Sequence, residues 1–364
     1  MTPASAAELA RAEKLQMAGQ AAQALHIYAA ILARDPRDVD ALYMKGVALL
    51  QEGQAAQGEA ALQAATALAP LIADCAHLDA MCRRQNKASP ANIAYVRYKE
   101  FKALQNTDAF IISYPKCGRT WLRLLLGKYL QQQFGLREDA MMLELHALTR
   151  NIAGLPRVDF SHDDRPQLKP AAEIDRDKRR YRGKKVVFLV RDPRDVLVSY
   201  YFQYTRRGAQ ELAGEAPFTG TMSDFIRHPI GGIDNIVAFY NVWAEQRAAP
   251  ADFMLLRYED LHSDPVANLR RLAAFLGFPK VDDAALERVL SYGSFDHMKR
   301  IERDNLLKSP RLEAPDSADP ESFKVRKGRV AGYGEYLSAE DVAYLDEKIA
   351  GLDDLYAGYK TRAG

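Results

Sequence analysis

Residues 109–133 read AFIISYPKCGRTWLRLLLGKYLQQQ: a short apolar run, a tight turn and an amphipathic run. AFIISY (109–114) has the continuous apolar character of a strand buried on both faces of a parallel sheet. The amphipathic run predicts a helix from Thr120 to about Gln133. Between them, SYPKCGRTW (113–121) has a lysine and a glycine in the wrong order for a Walker A loop. That loop needs G-x-x-x-x-G-K-[ST], with the lysine after the second glycine, whereas Lys116 precedes Gly118. Pro115 sets the exit from the strand, and Gly118 lets backbone N–H groups turn toward a ligand. Those groups and the positive end of the following helix favour an anion by roughly 0.3–1 kcal/mol. Lys116 adds a full charge, Thr120 a hydroxyl in the first turn, and Trp121 a flat face for a base. Alone, the turn specifies an anion or a nucleotide.

Two more units repeat the pattern. KKVVFLVRD (184–192) precedes the helical DVLVSYYFQYTR (195–206), and DFMLLRYED (252–260) precedes NLRRLAAFLG (268–277). Buried strands alternating with helices predict an α/β fold with a parallel central sheet flanked by helices. Ligands in such sheets sit at the carboxyl ends of the strands, which groups Lys116, Arg191 and Tyr258. Arg191 can hold a phosphate in bidentate fashion, and Ser199 can add a hydrogen bond from the next helix. Asp192 and Asp195 read as capping or salt-bridging groups of that turn. Later, KVRKGRVAGYGEYLS (324–338) offers Arg326, Lys327 and Gly328 as a flexible arm over a phosphate. The segments 136–183, 206–232 and 301–325 read as long loops. The basic run RDKRRYRGKK (176–185) reads as a solvated face.

The first 86 residues are alanine-rich and patterned for helices. Gly19-Gln-Ala-Ala-Gln23 recurs as Gly53-Gln-Ala-Ala-Gln57, and Pro36 recurs as Pro70, both at an offset of 34. This spacing resembles the tetratricopeptide repeat and predicts hairpins of 5–18 with 21–34 and 39–52 with 55–68, then a capping helix near 71–85. KASPANI (87–93) breaks the pattern, so the expected organisation is helical repeats over 1–86, a linker over 87–107 and the α/β domain over 108–364. The repeats would serve packing, homo-oligomer formation, or a peptide or carrier partner. A formal charge of +2, from 50 basic and 48 acidic residues, argues against a nucleic-acid partner. Three cysteines without a C-x-x-C pair, no apolar leader and no long apolar run predict a cytoplasmic protein with no membrane span.

The three ordered motifs together resemble the cytosolic-type sulfotransferases that use 3′-phosphoadenosine 5′-phosphosulfate (PAPS). That family carries Y-P-K-S-G-T-T-W, then R-x-x-x-D-x-x-x-S, then R-K-G-x-x-G-x-W. The resemblance spans about 108–338 and implies a nucleotide-kinase-like fold. It also implies that Lys116, Cys117, Gly118, Arg119, Thr120 and Trp121 surround the phosphosulfate and adenine. Arg191 and Ser199, joined by Arg326, Lys327 and Gly328, would hold the 3′-phosphate, with Tyr258 near the adenine. Cys117 stands for a serine, Arg119 for a threonine, Ala331 for a glycine, Tyr333 for a tryptophan and Gly334 for a lysine. A thiol pKa lowered by Lys116 and the helix start would make Cys117 redox-sensitive.

His162, in VDFSHDD (158–164), falls where the family places its catalytic histidine, commonly in a short strand entering the pocket. It is the expected general base, with His146 as the alternative; His228, His262 and His297 read as loop or cap residues. Lys116 would offset charge on the oxygen leaving sulfur. No metal-ligand cluster is visible, so the expected chemistry is metal-independent. The expected activity is sulfuryl transfer from PAPS to a hydroxylated metabolite, glycan or peptide. The alternatives are an ATP-dependent P-loop-like kinase and a non-catalytic repeat adaptor.

Overall fold

The structure, a computed structural model, describes residues 3–84, 89–206, 218–313 and 319–360. The chain divides into two compact units, Met1–Asn106 and Thr107–Gly364.

The first unit is helical: α1 (Pro3–Met17), α2 (Ala21–Arg34), α3 (Val39–Gln51), α4 (Ala55–Leu68), α5 (Leu78–Arg84) and α6 (Pro90–Gln105). The repeated glycines do the same job twice. Gly19 and Gly53 sit in the two turns with φ of 79° and 76°, a left-handed conformation that costs glycine little. α3 and α4 approach closely through Gly46 and Gly58. A Cβ on either would lie 2.8 Å from a leucine of the facing helix, Leu62 or Leu50. Ala24, Tyr28, Ala41, Tyr43 and Val47 fill the core, and Tyr43 stacks on Tyr98 at 5.6 Å.

Two expectations change here. The capping helix near 71–85 splits into a 3₁₀ coil, Pro70–His77, and α5. The coil opens on Pro70, which has no N–H, and on an i→i+3 bond from Ile72 to Ala69. Most of the expected linker, 87–107, is α6; the residues 85–88 lie outside those described. Pro90, read as a breaker, occupies the first helical turn behind a Ser89 cap. Ala91, Ala94, Tyr98, Phe101 and Leu104 then recur on one buried face.

The second unit holds four parallel strands: β1 (Ala109–Ser113), β2 (Val158–Ser161), β3 (Lys185–Val190) and β4 (Asp252–Arg257). Around them run α7 (Arg119–Phe134), α8 (Leu145–Asn151), α9 (Pro193–Arg206), α10 (Met222–Arg227), α11 (Ile233–Glu245), α12 (Tyr258–Ser263), α13 (Pro265–Leu276), α14 (Asp283–Tyr292), α15 (Phe295–Arg303), α16 (Ala339–Ile349) and α17 (Ala357–Lys360). The strand order is β2-β1-β3-β4. The chain therefore leaves β1 toward one edge to make β2 and returns on the other side of β1 to make β3. The reversal point lies between β1 and β3, which pair Ser113 with Leu189 at their carboxyl ends.

All three strands expected from apolar runs are present. The last of them ends earlier than expected: Tyr258 opens α12 rather than ending β4. The expected loop 136–183 contains β2 and α8, and 218–232 contains α10. Residues 207–217 and 314–318 of the other expected loops lie outside the described residues. No helix among the described residues is long and apolar enough to cross a membrane.

The glycine crossing in the first unit is testable. Gly46→Val would force α3 from α4 and is expected to cost about 1–3 kcal/mol, read as a lower midpoint in thermal unfolding. An unchanged midpoint would remove the close helix approach as a source of stability.

Candidate functional site

The loop after β1 owes its shape to two left-handed residues, Lys116 (φ 73°) and Gly118 (φ 95°). Gly118 has two reasons to be glycine. Its φ disfavours a side chain, and a Cβ there would lie 2.6 Å from the Tyr258 ring. Gly118 also caps α7 with no side-chain hydrogen bond, so that helix's first turn, with Thr120, starts beside the loop. Lys116 Nζ donates to Gln203 Oε1 on α9 at 3.1 Å. Trp121 donates to the Gly293 carbonyl at 2.9 Å and meets Tyr258 edge-to-face at 5.5 Å. His262, expected to be a bystander, packs 6.3 Å from Trp121 and 6.1 Å from Tyr258.

Cys117 does not meet the condition for redox sensitivity. It is fully buried, and burial pushes its thiol up to about 12. The Tyr240 hydroxyl lies 3.4 Å from its sulfur, accepts the Arg191 N–H and donates to the Arg191 carbonyl. That hydroxyl has one proton, already given to the carbonyl, so the thiol is the donor to Tyr240. The residue ties the β1 loop to the end of β3 and is no exposed thiolate.

Arg191, at the end of β3, is the hub. Its guanidinium lies 4.4 Å from the centre of the Tyr258 ring and donates to the Lys116 carbonyl (3.5 Å), Asp195 (3.3 Å) and the Arg329 carbonyl (2.9 Å). Its Nε is buried and unpartnered. Ser199 lies half-buried in α9. The late arm arrives from the other side. Arg326 stacks over Phe202 (4.2 Å) and Tyr336 (4.8 Å) and pairs with Glu321, while Lys327 pairs with Glu335. Gly328 has φ 60°, a Cβ there would lie 2.6 Å from Phe295, and its carbonyl accepts from His262 Nε2 at 3.0 Å. Lys116, Arg191 and the arm thus converge at the reversal point. The left-handed Gly118 turn, the open start of α7 and the unpartnered Arg191 Nε make it fit for an anionic nucleotide.

His162 follows β2 directly, and its Nδ1 lies 2.8 Å from the carbonyl of Ser113, the last residue of β1. A carbonyl only accepts, so Nδ1 carries the proton and Nε2 keeps a lone pair. Burial, with Arg119 and Arg123 nearby, holds its pKa well below 6.5. Both arginines stack toward Phe160, two residues before His162, at 5.9 and 4.5 Å. His146, the alternative, sits on α8 in the β1–β2 crossover, with Nε2 buried and unpartnered.

The basic run at 176–185 is solvated at Arg176, Arg179 and Arg182, as expected, but departs from expectation at two residues. Lys178 is 0% exposed and Arg180 2% exposed. Both pair with Asp163, beside His162, which also accepts from Tyr181 at 2.9 Å. Lys169 pairs with Asp164 in the same way. These charges brace the loop that carries His162 instead of facing water. Asp195 salt-bridges Arg191 as expected, whereas Asp163, Gln203 and His262 are site neighbours that sequence reasoning did not assign. The nearest available signal was the run of charges on both sides of the 162–181 segment.

Two predictions follow from this geometry. Asp163→Asn strands the buried Lys178 and is expected to cost about 3–5 kcal/mol, measured by denaturant unfolding; a loss below about 1 kcal/mol would make the brace unimportant. Gly118→Ala is expected to weaken binding of adenosine 3′,5′-bisphosphate by at least about tenfold in calorimetry, because the loop must shift off Tyr258. Wild-type affinity would contradict the steric account of the turn.

Comparison with known proteins matches this unit. The family model described as "Sulfotransferase domain" covers residues 106–357, well over half of the chain. Flavonol 3-sulfotransferase of Flaveria bidentis is 26% identical over 269 residues, 68% of this chain and 82% of the relative. Cytosolic sulfotransferase 17 of Arabidopsis thaliana is 27% identical over 274 residues, 68% of this chain and 74% of the relative. Among solved structures, the mouse sulfotransferase SULT7A1 complexed with PAP aligns with a TM-score of 0.47 at 21% identity, over 70% of this chain and 88% of that one. The chain belongs to the sulfotransferase family, enzymes that use PAPS as co-substrate and pass its sulfuryl group to a hydroxyl acceptor.

Proposed function

We propose that His162 is the general base of this sulfotransferase and that Lys116, Arg191 and the late arm hold the co-substrate. The observation that carries the reading is the bond from His162 Nδ1 to the Ser113 carbonyl. It aims the other nitrogen, Nε2, to accept, on the strand whose next residues form the Lys116 loop. In the proposed step, Nε2 takes the acceptor's hydroxyl proton as the acceptor oxygen bonds to sulfur. The bond from sulfur to the bridging phosphate oxygen breaks with its electron pair on that oxygen. Lys116, held by Gln203 in this structure, offsets the charge that develops there. Cys117, Gly118, Arg119, Thr120 and Trp121 would cradle the phosphosulfate and the base, and Tyr258 would pack beside the adenine. Ser199, Arg326, Lys327 and Gly328 would complete the 3′-phosphate site. The low pKa of His162 keeps the base neutral at working pH.

The acceptor is proposed to be a hydroxylated metabolite or glycan, one relative being named for a flavonol, and the place of action the cytoplasm, other relatives being named cytosolic. The helical unit resembles tetratricopeptide repeats in its 34-residue spacing and carries a groove of about 790 Å³ lined by Tyr43, Leu50, Leu62, Ile93 and Arg97. A peptide or carrier partner, or self-association, is the proposed use of that unit.

His162→Ala is expected to lower kcat by about 10²–10⁴ while the protein still binds adenosine 3′,5′-bisphosphate; transfer of labelled sulfate at the wild-type rate removes the assignment. The same bisphosphate, and not ATP, is expected to raise the melting temperature, the reverse favouring a kinase. By NMR, His162 in the free protein is expected to stay neutral at pH 6.5. The unfolded chain takes that proton below pH 6.5 and the folded one does not, so this group lowers stability as pH falls through that range.

A further inference from the structure

We propose that Asp195 is a positioning residue that couples closure of the arm at 329–333 to occupancy of the phosphate site at Arg191. The proposal rests on the reading of Arg191 as the 3′-phosphate ligand.

Asp195 lies in the first turn of α9 and is 4% exposed. Its carboxylate divides itself between two masters. Oδ1 accepts the Tyr333 N–H at 3.0 Å, and Oδ2 accepts the Ala331 N–H at 3.0 Å. Oδ2 also takes Arg191 Nη2 at 3.3 Å. The same Nη2 donates to the Arg329 carbonyl at 2.9 Å. Arg191, the arm backbone and Asp195 therefore close a ring of hydrogen bonds. Ala331 makes the ring possible by standing at φ 57°, a left-handed turn that presents two N–H groups to one carboxylate. The neighbouring Arg194 lies 5.5 Å from the Tyr333 ring and pairs with Asp192 and Asp346, a second tether from the same turn.

Charge gives the ring its purpose. A carboxylate beside Arg191 opposes an arriving phosphate. When the arm is closed, two backbone N–H groups take up part of that negative charge. When the arm is open, the carboxylate faces Arg191 alone and opposes the ligand more strongly. Arm closure and anion binding therefore favour each other, and the coupling acts equally in both directions. The arm's contacts to Asp195 are all through backbone. This explains why the family's glycine and tryptophan positions can be Ala331 and Tyr333 here without losing the latch.

The test uses full-length Asp195→Asn and Asp195→Ala proteins, checked for folding by thermal unfolding. Kinetics with PAPS and an acceptor are paired with trypsin cleavage at Arg326, Lys327 and Arg329, with and without adenosine 3′,5′-bisphosphate. Removing the carboxylate lifts its repulsion but also releases the arm that brings Arg326, Lys327 and Gly328 to the phosphate, and the second effect is expected to dominate. That gives a PAPS KM raised by about tenfold, a kcat and acceptor KM near wild type, and loss of the nucleotide's protection of the arm. Asn, which keeps one acceptor oxygen, should retain more protection than Ala. Wild-type PAPS KM with protection intact overturns the proposal. So does a parallel fall in kcat and rise in both KM values together with a lower melting temperature, which marks a merely structural role. In the wild type, an arm that trypsin cuts equally fast with and without the bisphosphate overturns it without any variant. Arg191→Gln binding the bisphosphate as tightly as wild type would instead defeat the underlying assignment of Arg191.

Discussion

The site depends on one constraint, that β1 and β3 are neighbours while the chain leaves β1 on the opposite side to build β2. Connections cannot cover the gap at such a reversal, so the carboxyl ends of both strands stay open to a ligand. Lys116 and Gly118 come from one strand end and Arg191 from the other, and Tyr258 from the end of β4 fills the space between them. The glycine at 118 is the tightest expression of this constraint. Its conformation and its contact with Tyr258 both exclude a side chain, so loop shape and ring position are set together.

A second theme is the burial of charge. Lys178, Arg180, Asp163 and Asp164 lie out of water within the segment that follows His162. Such pairs do little for net stability compared with apolar packing, but they are unforgiving of rearrangement, because any shift strands a charge. That suits a loop whose task is to hold one imidazole against one carbonyl. Arg191 and Asp195 use the same principle at the other end of the site, where the charges are exchanged with an arm instead of locked.

Much of this was legible in the sequence. The apolar runs at 109–114, 184–192 and 252–260 mark the strands because a strand covered on both faces cannot alternate. The loop after β1, RDPRDVLVS and the late Arg-Lys-Gly mark the proposed cradle, because they put phosphate-binding donor types at strand and helix ends. Less legible were elements whose signal is weak or ambiguous. The strand β2 is short and carries an aspartate, so VDFS reads as loop. Pro90 reads as a breaker or as a helix start with equal right, and only the buried face of α6 decides. Lys178 and Arg180 read as solvated with the rest of their run because their partners, Asp163 and Asp175, precede them in the chain and meet them only after folding.

By itself, then, the sequence determined the α/β class, the helical first unit, the glycine-turned loop after β1 and the family. These rest on local pattern: hydrophobic period, glycine placement and the spacing of charged residues along one segment. Tertiary structure alone decided that Cys117 is an inert donor, that Arg191 is shared with a carboxylate and an arm, and that His162 presents Nε2. Each of these depends on which groups from distant parts of the chain share a few ångströms of space, and burial there sets both protonation and hydrogen-bond direction.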